Sequence, residues 1–203
     1  MKFLSPISQI LLFFSLFLFL FNKIEIEKEK KLFVLYIVLA FFSEVISIVT
    51  WYFNIRNVWL AHLYLPVEFI LFFLILLRWE NRYRKYWIAG GISIGTYIVI
   101  DYFFLTDFSH YAIMAMSLQS FFFFLFSARI LIEITTRNFI PFYKDERFYV
   151  VAGIFIYTSL TSLMYLFYNF FQVLLPFYIV TFAGVSLNLM FTGSILYRYF
   201  CRS

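Results

Sequence analysis

The chain is 203 residues long, 64% hydrophobic and only 13% charged, with a mean hydropathy of +0.89. Soluble domains run about 45–50% apolar and about 25% charged, and a water-soluble fold of this size needs far more polar residues for its exposed shell. These values exclude a soluble globule and predict an all-α integral membrane protein, in which the 16 Lys and Arg against 11 Asp and Glu (net +5) matter chiefly through where they fall.

Crossing ~30 Å of hydrocarbon takes about 20 apolar residues in a helix, and an open sheet edge cannot be satisfied in lipid. Seven runs qualify, at about 3–21, 32–53, 58–78, 86–105, 109–133, 148–170 and 174–197, and together they make a single transmembrane domain. The first, containing "LLFFSLFLFLF", has one leading Lys, no small-residue cleavage site and its charge after the apolar run. It is therefore expected to remain a span rather than to act as a signal peptide. Charged breaks, "NKIEIEKEKK" (22–31) and "RWENRYRKY" (78–86), alternate with tight polar turns, "NIRN" (54–57) and "TDFSH" (106–110). "TRNFIPFYKDER" (136–147) is the longest connection and "NFFQ" (169–172) the weakest break.

Odd-numbered connections and the C-terminus carry thirteen Lys and Arg, while the N-terminus and even-numbered connections carry two, Lys2 and Arg56. The positive-inside rule then places the N-terminus outside and the C-terminus in the cytoplasm. Tryptophans agree with this direction: Trp51 and Trp59 flank an outer turn, Trp79 and Trp87 an inner one. A single cysteine, Cys201, excludes an intrachain disulfide and stands where a juxtamembrane palmitoyl group or an inert thiol would stand.

Two acids lie inside the second and third spans. Glu68 is nine residues below Trp59, and Glu44 is seven below Trp51 on the neighbouring antiparallel helix, so they share a depth near the midplane. A charge there costs ~2.5–3.5 kcal/mol or more and is by default a functional hypothesis. The pair is expected to face the bundle interior as a ligand or proton site, with His62, Tyr64 and Asn188 beside it. The competing reading has each acid, protonated, hydrogen-bonding a backbone carbonyl or Asn188 and only locking the packing.

Polar stripes recur at helical spacing: Thr158, Thr161, Ser162, Tyr165 and Asn169 in the sixth span, and Thr181, Gly184, Asn188 and Thr192 in the seventh. Ser43, Ser47 and Thr50 run beside Glu44, and His110, Ser117, Gln119 and Ser120 occupy the outer half of the fifth span. Such stripes ordinarily mark helix–helix contacts. Their concentration toward the outer face further suggests an outward-facing polar cavity floored by Glu44 and Glu68. Gly91 and Gly95, in small-xxx-small spacing, form a packing seam within the chain or between copies.

Several chemistries lack their parts. The last span has no lysine for a retinal Schiff base, and HExxH, GxSxG, GxGD and Cys/His metal spacings are absent, so neither enzymatic activity nor a metal or other cofactor is expected. His62 and His110, near outer helix ends, suit local hydrogen bonding better than haem. No nucleic-acid readout is evident. The loop "TRNFIPFYKDER" combines Phe139, Phe142 and Tyr143 with Arg137, Lys144 and Arg147, residue types that favour a cytoplasmic partner interface or an anionic lipid surface. A faint echo between "NIRNVWLAHLYLPVEF" and "NFFQVLLPFYIV" hints at a parallel repeat.

The third-span block His62, Leu63, Tyr64, Pro66, Glu68 and Phe69 (HLYxPxEF) resembles a family of small, uncharacterised seven-helix membrane proteins common in Bacteroidetes-type bacteria. Glu44, "FYVVAGIFIYTS" and "SLNLMF" extend the likeness over most of the chain. The family often lies beside sensor histidine kinases, so the resemblance implies a signalling context. Small polytopic proteins also serve as membrane effectors in antiphage defence, an analogy of type alone. The expected function is a non-enzymatic sensor or regulator that contacts a cytoplasmic or membrane signalling partner or a second copy of itself. The alternatives are an oligomeric pore gated from the cytoplasmic side and a proton-coupled transporter.

Overall fold

The computed structural model describes residues 13, 17, 28–55, 58–106, 112–137, 141–166 and 175–201. Among them are six α-helices and no strand: α1 (Lys28–Tyr52), α2 (Val58–Trp79), α3 (Arg84–Ile100), α4 (Ile113–Arg137), α5 (Glu146–Leu166) and α6 (Leu175–Cys201). A π-helical turn, Asp101–Leu105, continues α3, and a 3-10 turn, Phe142–Lys144, precedes α5. The expected first span, 3–21, and the "NFFQ" break fall outside the described residues apart from Phe13 and Phe17, both helical. The other six spans correspond to α1–α6.

Four helical stretches are long and apolar enough to cross a membrane: Val58–Trp79, Arg84–Leu105, Ile113–Thr136 and Arg147–Tyr165. α1 and α6 contain shorter apolar stretches, Val34–Thr50 and Phe182–Tyr197. Burial runs opposite to that of a soluble protein. On α2, Trp59, Leu63, Val67, Ile70 and Leu74 form an exposed stripe at helical spacing, while His62 and Glu68 are buried. An apolar stripe this long is stable facing lipid and would be an aggregation surface in water. The molecule is a membrane protein.

Helix ends depart from the expected boundaries for local reasons. α1 stops because Asn54 adopts φ 54°, a left-handed conformation that asparagine tolerates better than most residues. The Ile55 N–H then donates to the Thr50 carbonyl at 2.8 Å, the six-to-one bond of a Schellman cap. α3 loosens at Asp101, whose carbonyl accepts from the Thr106 N–H at 2.8 Å across a π turn. α4 continues to Arg137, so the connection at 136–147 is shorter than the sequence suggested and is partly ordered as the 3-10 turn.

Asp145 caps α5. It has extended backbone angles, and its Oδ1 accepts the Arg147 N–H at 3.0 Å while the Arg147 guanidinium grips both carboxylate oxygens, the shortest contact 2.6 Å. Removing a cap costs about 1 kcal/mol, whereas an exposed ion pair is worth about 0–1 kcal/mol. Asp145→Ala is therefore expected to lower stability more than Arg147→Gln does, as unfolding in mixed micelles with a rising SDS fraction would show.

The chain divides into two compact units, residues 26–119 and the chain from Ser120 onward. In the first, α2 meets α3 where a side chain at Gly91 would run into the Phe73 ring and one at Gly95 would stand 3.1 Å from Phe69. The two rings stack at 6.1 Å and 6°. Phe73 is half-buried and its ring edge can swing, so Gly91→Val is expected to cost only about 1 kcal/mol, the low end of overpacking. In the second unit α5 packs chiefly on α6, with Gly153 against Leu187, Met190 and Phe191.

Candidate functional site

The site is assembled on α2. Pro66 stands inside this helix and supplies no N–H to the carbonyl one turn before it, which weakens the backbone ladder just ahead of Glu68. Glu68 is 2% exposed. Its Oε1 accepts the Tyr64 hydroxyl, one turn earlier on the same face, and the Tyr36 hydroxyl from α1, each at 3.5 Å. The two hydroxyls meet at that one oxygen, and Tyr36 lies within Coulombic reach of Glu44 as well as Glu68. One turn further along α2, the Tyr36 ring packs on Phe72 at 4.9 Å. Glu44 is half-buried on α1, two turns from Tyr36 along the same helix.

The end of this unit where α1 stops, α2 begins, α3 stops and α4 begins is the polar one. His62 is buried there with its ring edge-on to Tyr102, centroids 5.1 Å apart. Asp101 is also buried; its Oδ1 accepts the Thr106 hydroxyl at 3.2 Å, and its Oδ2 has no hydrogen-bond partner among the described residues. Gln119, 4% exposed, donates Nε2 to the Leu65 carbonyl at 3.5 Å, while its buried Oε1 likewise has no partner. Toward the other end of α2 the buried side chains are Phe69, Leu71, Phe72, Ile75, Leu76 and Leu77. Polarity stops at Glu68, except for Glu80 at the helix exit. Glu80 is 0% exposed, and its Oε1 accepts the Tyr83 N–H at 2.9 Å to close the turn into α3.

Of the residues singled out in the sequence, His62, Tyr64, Glu44 and Glu68 fall in this unit, and Asn188 belongs to the other. There Asn188 is buried, and its carbonyl accepts the Thr192 hydroxyl at 2.8 Å. The stripe on α5 and α6 is mostly self-satisfied. Thr158 donates to the Ile154 carbonyl at 2.7 Å and Thr161 to the Tyr157 carbonyl at 2.9 Å, with Ser120 Oγ 3.2 Å from the Thr161 hydroxyl. Ser162 is buried and Tyr165 half-buried. Hydroxyls that bond carbonyls of their own helix serve close packing rather than a ligand.

The connection between α4 and α5 is tied down more than its composition suggested. Lys144 is exposed, but its carbonyl accepts the Tyr197 hydroxyl at 3.0 Å, and Phe142 packs on Phe148 at 4.9 Å. Arg147 is held by Asp145. Arg137 is the last residue of α4, and its side chain, like all of His110, lies outside the described residues.

Tyr36, Asp101, Tyr102 and Glu80 were not anticipated. Asp101 could have been: an acid within "YIVIDYFFL" meets the same intramembrane criterion that flags Glu44 and Glu68. Tyr36 carries no such signal among sixteen tyrosines. No family model matches the chain, and no curated protein or solved structure matches it.

Proposed function

We propose that the protein is a non-enzymatic sensor or regulator of a bacterial cytoplasmic membrane. In this reading the N-terminus is outside, the C-terminus is cytoplasmic, and a seventh helix precedes α1. The buried Glu68, held by Tyr36 and Tyr64 within reach of Glu44, is its ligand or proton site. The observation that carries this reading is a carboxylate 2% exposed in the middle of a membrane-crossing helix. Such a group is costly and marks function by default. Polar groups lead to it from one end of the unit, and the apolar run from Phe69 to Leu77 seals the other. That asymmetry favours a one-ended sensing site over a continuous pore. The basic cytoplasmic side, with Lys144 exposed, would pass the change to a partner.

The test is Glu44→Gln with Glu68→Gln in cells, reading the activity of whatever signalling protein co-purifies with the chain. Signalling is expected to be lost at unchanged protein level. Intact signalling would reduce the acids to packing groups. Liposomes containing the purified protein are expected to stay tight to ions, and sustained flux would turn the reading toward a pore.

A further inference from the structure

The turn between α2 and α3 carries three bases that no acid compensates among the described residues. Residues 78–85 hold Arg78, Arg82, Arg84 and Lys85 against one acid, Glu80. The fold turns that acid away from them: Glu80 is fully buried, and its Oε1 accepts the Tyr83 N–H. Arg129 and Arg147 each have an acid of their own, Glu133 at 3.0 Å and Asp145 at 2.6 Å. Arg82, Arg84 and Lys85 are exposed and make no ion pair among the described residues. Arg84 and Lys85 also open α3, the helix end where an acid is favoured and a cation is not, and the first turn holds no acid. Arg82 lies over the Tyr83 ring, 5.3 Å from its centroid, and that ring is tilted against Tyr86 at 6.4 Å. A ring face supplies no acceptor oxygen, so the guanidinium donors stay available to a phosphate, which they grip bidentately.

Depth decides what can reach these groups. Trp79 ends one stretch long enough to cross the membrane, and Arg84 begins the next. The four residues between them reach about 14 Å at full extension, so the bases stay in the headgroup layer. Tyr83 and Tyr86 are exposed there, between Trp79 and Trp87, and these are the residue types enriched at that boundary. Positive-inside sorting asks only that bases lie in the connection. It does not ask that the acid be folded under or that rings be set among the bases. A lipid headgroup is already at this depth, whereas a soluble acidic partner would have to displace it.

We propose that Arg82, Arg84 and Lys85 bind the phosphate of an anionic phospholipid at the α2–α3 turn, with Tyr83 and Tyr86 against its glycerol and upper acyl chains. A base near an anionic headgroup layer favours association about fivefold, so the three together set a ceiling of about a hundredfold on the preference over a zwitterionic lipid. The inference is independent of Glu68 and of what the chain senses.

The experiment releases the purified full chain in a mass spectrometer from detergent micelles doped with equal amounts of phosphatidylglycerol and phosphatidylcholine of the same acyl chains. The chain is expected to retain phosphatidylglycerol at least about tenfold over phosphatidylcholine. Arg82→Gln combined with Arg84→Gln and Lys85→Gln should bring that ratio to within about twofold of unity, and each substitution alone should lower it about twofold to fivefold. The single variants decide the matter if the triple variant fails to fold. Lys28→Gln combined with Lys30→Gln and Lys31→Gln removes the same charge at the start of α1 and should leave the ratio within about twofold of the wild type. A ratio near unity in the wild-type chain would overturn the proposal and leave the bases to a soluble acidic partner. Equal losses in the two triple variants would overturn it too, since diffuse charge and not the turn would then hold the lipid. Inorganic phosphate retained as well as phosphatidylglycerol at the same concentration would remove the lipid as the occupant and assign the turn to a free phosphate.

Discussion

Gly153→Leu is expected to destabilise the α5–α6 unit by about 3 kcal/mol, at the upper end of what overpacking costs. A Cβ at this position would stand 2.9 Å from Met190 Cβ and 3.4 Å from Leu187 Cδ1 and Phe191 Cε1. The first contact is with an atom next to the backbone, which moves only if the helix moves. The other two belong to side chains without room to turn, since Leu187 and Phe191 are both fully buried. Gly153→Ala adds the Cβ alone, and its strain is partly offset by the roughly 1 kcal/mol that alanine gains over glycine within a helix. The pair of variants thus separates steric exclusion from helix propensity. Unfolding in mixed micelles with a rising SDS fraction gives both values. A leucine tolerated to within about 0.5 kcal/mol would mean that α5 and α6 do not approach at Gly153.

That glycine also shows what the sequence could and could not reveal. The all-helical, membrane-spanning character was legible because composition and run length leave no alternative in lipid. Gly91 and Gly95 stood out through their four-residue spacing, whereas Gly153 is alone in "VVAGIFIY" and depends on α6 for its meaning. Glu68 was legible because an acid in an apolar run is conspicuous, but its partners were not. The Tyr36 hydroxyl reaches it across thirty-two residues of sequence, and nothing distinguishes that tyrosine from its neighbours until α1 is laid against α2. Helix ends erred where side chains rather than hydropathy decide them: the Asn54 cap, the π turn at Asp101 and the Asp145 cap are each made by one polar residue. The connection between α4 and α5 looked long for the same reason. Its bases and aromatics read as a free surface, and Asp145, which occupies Arg147, went unweighed.

Glu68→Leu should lower stability by about 3–5 kcal/mol, a loss much larger than that of Glu68→Gln. Leucine has no acceptor, so the Tyr36 and Tyr64 hydroxyls, converging on Oε1, lose the group they share in a place where water does not compensate. Each buried polar group left unsatisfied costs about 1–3 kcal/mol. Glutamine keeps an oxygen in the same place and is expected to cost about 1 kcal/mol or less, in the range of a weakened neutral hydrogen bond. The sharper test removes the donors as well. In a Tyr36→Phe, Tyr64→Phe background, Glu68→Leu leaves no stranded partner and swaps a polar cluster for apolar groups of similar shape, a change that can be nearly neutral. The three substitutions are therefore expected to be strongly non-additive, with a coupling of about 2 kcal/mol or more, because they act on one hydrogen-bonded unit. Additive losses would mean that the tyrosines contribute only their rings, Tyr36 through its contact with Phe72, and that Glu68 finds its partner elsewhere. The apolar triple variant has a further use. If it folds as well as the parent yet no longer signals, the cluster is retained for what it binds and not for the stability it lends.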